Sequence, residues 1–146
     1  MVAEPTSPGQ TSGMTGISEA AGTTESRPEP ERSEQRPWGG FTVLDDAADH
    51  KVKRLVVHAG HRLSYQRHTH RAEHWFVIRG SGYVTLDGIN LPVEAGTAID
   101  VPRGAAHRIS NTGDADLVFV EVQHGESFGE DDIERLEDDY GRVGAP

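Results

Sequence analysis

Between residues 41 and 122 the sequence is a series of short apolar runs, each cut off by Gly, Asn, Asp or Pro before it could form the face of a helix. That punctuation constrains the fold more than any other feature. Runs of four to eight residues rich in Val, Ile, Leu, Thr and aromatics read as strands. The expected strands are 41–44, 52–58, 62–66, 73–79, 82–86, 90–93, 97–101, 107–110 and 117–122. Turn signals separate them: Ala59-Gly60, Gly80-Ser81-Gly82, Asp87-Gly88, Ala95-Gly96 and Asn111-Thr112-Gly113-Asp114. Short strands at this spacing predict an all-β sandwich or barrel. A helix is expected only near the end, over 130–138. There Glu130, Asp131 and Asp132 would suit the positive end of a helix dipole, Ile133 and Leu136 would face inward, and Gly141 would follow as a stop.

The first 36 residues contain no Leu, Phe, Trp or Tyr and are rich in Pro, Ser, Thr, Gly and Glu. Such a segment cannot bury enough apolar surface to offset its ordering entropy. The expected organisation is a disordered tail over 1–36 and one folded domain over 37–146. Net charge is −10, which argues against nucleic acid or anionic lipid as a partner. The charge is uneven. Residues 121–146 carry nine acids and two arginines, whereas 50–80 carry seven Lys and Arg against the single acid Glu73. A locally basic middle leaves room for an anionic small molecule. The absence of Cys excludes disulfides, thiolate nucleophiles and iron–sulfur clusters. With no apolar run of about 18 residues and no signal-peptide pattern, no membrane association is expected and the cytoplasm is the expected compartment.

Six of the eight histidines lie between His50 and His74. In a strand, residues i and i+2 share a face, so His68 and His70 are expected to project together. Pro102 and Gly104 then form a turn that sets His107 at the start of another strand. A third imidazole from a separate hairpin would complete a facial set for one divalent ion, leaving positions open. Imidazoles suit Zn, Cu, Fe and Ni, and an added carboxylate also admits Mn.

These stretches resemble the two motifs of the cupin family. Gly96, Pro102, Gly104, His107 and Asn111 match the second motif in full. The first departs twice: seven residues separate Gly60 from His68, and two separate His70 from Glu73. The short second gap leaves the fourth ligand open between Glu73 and His74. Glu73 is preferred because its spacing to Gly80 is regular, and two neighbours on one strand cannot face the same way. More specifically, Arg36-Pro37-Trp38-Gly39, the stretch Leu63 through Arg71-Ala72-Glu73-His74-Trp75, Pro102-Arg103-Gly104 through His107-Arg108, and Gly129-Glu130-Asp131-Asp132-Ile133 are similar to the cupin domain of type II mannose-6-phosphate isomerases.

The resemblance implies a double-stranded β-helix, or jelly-roll barrel, with a short C-terminal helix. It also implies a homodimer. It assigns His68, His70, Glu73 and His107 to one divalent metal (Zn, Mn, Co, Ni or Fe). It places Lys53, Arg108 and a proton-shuttling His74 at the reacting centre, and Gln66 and Arg142 against a small phosphorylated sugar. The activity implied is interconversion of mannose-6-phosphate and fructose-6-phosphate, supplying mannose for nucleotide-sugar and polysaccharide synthesis. That family's domain is often fused to a guanylyltransferase. No Gly-rich nucleotide-binding loop occurs in this sequence, so that second activity is not expected. Two rivals remain on sequence grounds: a non-catalytic metal- and sugar-phosphate-binding module, and a different cupin enzyme such as a dioxygenase.

Overall fold

Alternation of inward and outward side chains builds the architecture. In the computed structural model, which describes residues 32–144, eleven strands follow one another. They are β1 (Arg32–Arg36), β2 (Gly39–Asp46), β3 (His50–Val57), β4 (Tyr65–Arg67), β5 (Arg71–Arg79), β6 (Ser81–Leu86), β7 (Ile89–Glu94), β8 (Ala98–Val101), β9 (His107–Asn111), β10 (Leu117–Gly125) and β11 (Glu134–Glu137). Two antiparallel sheets result, one in the order β1-β2-β3-β10-β5-β8 and the other β11-β4-β9-β6-β7. From β3 onward the chain crosses between the sheets at every step but the β6–β7 hairpin, as in a double-stranded β-helix.

The core lies between the sheets. Leu55, Val57, Trp75, Val77, Leu117 and Phe119 from the first meet Val84, Val93 and Ile109 from the second. Phe119 stands opposite Val77 and packs on Trp75, with ring centroids 4.8 Å apart. The outward partners on β5, among them Phe76 and Ile78, remain exposed. Asn111 serves as a clamp: its amide donates to the carbonyls of Val57 and Ala115, and its Oδ1 accepts the Gly113 N–H.

Two expectations are corrected here. No helix forms over 130–138. A three-residue 3-10 turn (Glu130–Asp132) is followed by β11, which pairs with β4. A nine-residue helix is too short to stabilise itself in water, whereas the free edge of β4 offers backbone partners at once. The tail boundary also moves. Residues 32–36 form β1, paired along its whole length with β2 and without a single apolar side chain. Backbone pairing and polar side-chain contacts, among them Arg32 with Asp46 and Ser33 with Thr42, hold that strand, which composition does not reveal. The rest of the expected tail, 1–31, lies outside the described residues. Among the described residues no helix is long and apolar enough to cross a membrane.

Candidate metal centre

Three side chains from three places in the chain converge inside one end of the barrel. His68 follows β4, Glu73 lies on β5 and His107 opens β9. All are buried, and one ligand atom from each falls within 4.8 Å of the others. His68 Nε2 is 3.2 Å from Glu73 Oε2, and His107 Nε2 is 3.5 Å from Glu73 Oε1. Each imidazole is oriented from behind. His68 Nδ1 is 3.0 Å from the carbonyl of Asp132, and His107 Nδ1 is 2.9 Å from that of Ala105. A carbonyl can only accept, so Nδ1 carries the proton on both rings and Nε2 presents its lone pair. Neither Nε2 has a hydrogen-bond partner. Two buried lone pairs and a carboxylate facing one another, with no donor among them, fit a divalent cation.

Local chain geometry explains the convergence. The turn at Pro102–Gly104 needs a residue at φ +80°, which Gly104 supplies. Its N–H donates to the His68 carbonyl at 2.8 Å, tying the two histidine segments together. Gly125, opposite Arg71, permits a second close approach: a Cβ there would lie 2.3 Å from the His70 carbonyl oxygen.

Glu73 is itself fixed by donors. Trp75 Nε1 lies 3.1 Å from Glu73 Oε1 and 3.1 Å from Glu121 Oε2, and Gln123 Nε2 lies 3.0 Å from Glu73 Oε2. Burial alone would push the Glu73 carboxyl up, but when a proton rather than a metal ion sits on the Nε2 atoms, hydrogen bonding and charge from His107 and His68 outweigh burial and hold the group well below the usual carboxylate range. Glu121 goes the other way. Burial, then the negative charge of Glu73, push it well above its usual value, while Lys53 opposes. Lys53 is lowered, chiefly by burial, with Glu121 pulling it back up.

Glu73 also borders an open cleft of about 580 Å³, counting its mouth. Apolar walls come from Trp38, Phe41, Leu55, Leu63, Phe128 and Ile133. Five cationic side chains (Arg36, Lys53, Arg71, Arg135, Arg142) face three carboxylates (Glu73, Glu121, Glu130), so the cleft is cationic within a chain of net charge −10. Lys53 Nζ sits 4.3 Å from the centroid of the Phe41 ring. Gln66 lines the cleft and accepts from Ser64 Oγ at 2.6 Å. Arg142 lines it as well.

Three expected site residues stand elsewhere. His70 does not join His68; it is 55% exposed and lies 3.9 Å from Glu126. The i, i+2 rule fails because β4 ends at Arg67. The Asp132 carboxylate accepts the N–H groups of both Thr69 and His70, which bends the chain. His74 alternates with Glu73 and points out of the barrel, where Nδ1 meets Asp100 at 2.6 Å. It therefore reaches no group inside the barrel, neither as ligand nor as proton shuttle. Arg108 alternates with His107 and faces the other side of β9. It is buried beneath the C-terminal segment, donating to the Leu63 carbonyl and to Glu137. In this position it fastens that segment and does not line the cleft beside Glu73.

Glu121, Gln123, Arg71, Arg36 and Arg135 were not singled out by the sequence. The signal for the first two was present: Leu117, Phe119, Glu121 and Gln123 form one period-2 face that changes from apolar to polar.

The family model "Mannose-6-phosphate isomerase C-terminal" matches residues 24–138. The alginate biosynthesis protein AlgA of Pseudomonas aeruginosa is 44% identical over 111 residues, 76% of this chain and 23% of that protein. The xanthan biosynthesis protein XanB of Xanthomonas campestris is 43% identical over 112 residues (77% and 24%), and the mannose-1-phosphate guanylyltransferase ManC of Salmonella typhimurium 42% over 112 residues (77% and 23%). The chain thus spans under a quarter of the length of these relatives. Among solved structures, the capsular polysaccharide assembling protein CapF of Staphylococcus aureus superposes with a TM-score of 0.67 at 24% identity, covering 74% of this chain and 34% of that one. Pac13, a nucleoside dehydratase, gives 0.62 at 19%, covering 74% and 86%. A double-stranded β-helix protein of Klebsiella pneumoniae gives 0.57 at 24%, covering 70% and 85%. At these identities the structures speak for the fold alone. The barrel is a cupin, and the chain belongs to the mannose-6-phosphate isomerase C-terminal family.

Proposed function

We propose that this domain is a metal-dependent sugar-phosphate isomerase that interconverts mannose-6-phosphate and fructose-6-phosphate. One observation carries the reading: Glu73 belongs both to the buried cluster with His68 and His107 and to the wall of a cationic cleft. When bound at His68, Glu73 and His107, a divalent cation supplies Lewis-acid polarisation of a carbonyl. Lys53 is assigned to hold and return the proton exchanged between C1 and C2. Burial lowers its affinity for the proton, which brings an ammonium closer to the range where it serves as an acid or base. Gln66, beside Ser64, is placed to contact sugar hydroxyls, and Arg142 to face the phosphate. Trp38, Phe41 and Leu63 exclude water from part of the cleft. The names of the relatives, which speak of alginate and xanthan biosynthesis, support a role in supplying mannose for polysaccharides.

The test is direct. Protein stripped of metal is reloaded with Zn, Mn, Co, Ni, Fe or Mg, supplied with mannose-6-phosphate, and assayed for fructose-6-phosphate. Turnover that depends on the added metal is expected. Tight metal and sugar-phosphate binding without turnover under every metal would replace the isomerase with a binding module.

A further inference from the structure

The cations of the cleft fall into two groups. Lys53 and Arg71 lie with Glu73 and Glu121. Arg36, Arg135 and Arg142 lie with Glu130, contributed by the N-terminal strand β1 and by the chain beyond β10. These three guanidinium groups sense one another. Burial first, then the charge of Arg142, with Arg36 adding to it, lower the Arg135 guanidinium from its usual value, against the pull of Asp138 and Glu130. Three guanidinium groups in one cleft wall offer several N–H donors to a multiply charged anion that brings several oxygens.

The carboxylates nearby are of two kinds. Asp138 is a fixed support: its fully buried side chain accepts Arg142 Nε at 2.8 Å, Nη2 at 2.9 Å and the Arg142 backbone N–H. That grip orients the guanidinium and uses neither hydrogen of Nη1. Glu130 is different. It meets Arg36 Nη2 at 3.0 Å with a side chain 56% exposed, and shares that nitrogen with Glu34. A shared, solvated, single-nitrogen contact is weak, and a phosphate that takes the guanidinium fork with two oxygens outcompetes it.

We propose that Arg36, Arg135 and Arg142 form the docking subsite for a phosphate monoester, and that Glu130 occupies Arg36 as an internal competitor until the phosphate displaces it. The choice of phosphate among anions rests on the sugar-phosphate reading above; the cluster itself does not. The subsite orients the substrate, phosphate at the three arginines and sugar carbons toward Lys53 and Glu73.

The probe is inorganic phosphate, titrated calorimetrically into the whole protein at constant ionic strength. Arg36→Gln and Arg142→Gln are each expected to weaken binding about tenfold. Glu130→Gln is expected to tighten it about threefold, a gain that a folding defect cannot produce. Arg54→Gln, on an exposed position of β3, should change nothing. Should Arg142→Gln fail to fold, the opposed pair Arg36→Gln and Glu130→Gln decides the matter alone. Equal phosphate affinity in wild type, Arg36→Gln and Glu130→Gln would overturn the subsite. The same variants in the isomerase assay separate the two ideas. Phosphate binding that follows the variants with no turnover removes the isomerase and keeps the subsite. Turnover with an unchanged KM in Arg36→Gln and Arg142→Gln removes the subsite and keeps the isomerase.

Discussion

Along β5 and β10 one inward-facing register passes through two different interiors. In the first half, Val77 meets Phe119, with Leu117 next along the strand, and every side chain is apolar. Trp75, opposite Glu121, stands at the boundary. In the second half, Glu73 meets Gln123 and Arg71 meets Gly125, and the buried groups are charged or polar. The same backbone geometry serves both. The first half removes apolar surface from water and supplies stability; the second buries polar groups at a cost that only partners can offset. A barrel with one dry end can hold the other end poised for chemistry.

Substitutions on the two sides of that boundary should behave differently. Phe119→Ala empties a fully buried aromatic site and should destabilise the fold by about 3–5 kcal/mol, read from urea midpoints. A loss under about 1 kcal/mol would show that the apolar half does not carry the stability assigned to it. Lys53→Met, on the polar side, should lower kcat by about a hundredfold or more while metal content and melting temperature stay near wild type. If kcat survives, Lys53 is not the proton carrier.

Asp138→Asn probes the support beneath the cleft. Arg142 holds the Asp138 carboxyl below its usual range. A lowered folded-state pKa contributes stability above the unfolded value of about 3.9, and loses it as pH falls through the folded value. The variant should therefore be less stable than wild type at pH 7 by about 1–2 kcal/mol, with the gap closing below about pH 4. A gap that persists at acid pH would point to packing rather than to the ion pair. The smallest effect belongs outside the barrel. His74→Ala should alter stability by less than about 0.5 kcal/mol and leave metal content unchanged, since its exposed contact with Asp100 touches neither interior.

The two halves were not equally legible in the sequence. The apolar half declares itself through period-2 runs such as Trp75, Val77 and Leu117, Phe119, because burial selects the same residue types wherever it occurs. The turn before His107 is legible too, since Pro102 and Gly104 can hardly be placed otherwise. The polar half depends on contacts remote in sequence. Whether His70 shares a face with His68 is decided by the Asp132 carboxylate, 62 positions beyond His70. Whether residues 134–137 form helix or strand is decided by the open edge of β4. β1, with Arg36 at its end, lacks any apolar signal and is written only in its pairing with β2. The burial of Arg108 is equally remote, because nothing near it in sequence reveals the segment that covers it.

The account turns on which imidazoles share an ion, and metal titration of three proteins tests that most directly. Wild type and His70→Ala should each bind one equivalent of divalent metal with similar affinity. His107→Ala should bind it at least about a hundredfold more weakly. Equal weakening in His70→Ala and His107→Ala, or no stoichiometric binding by wild type, would contradict it.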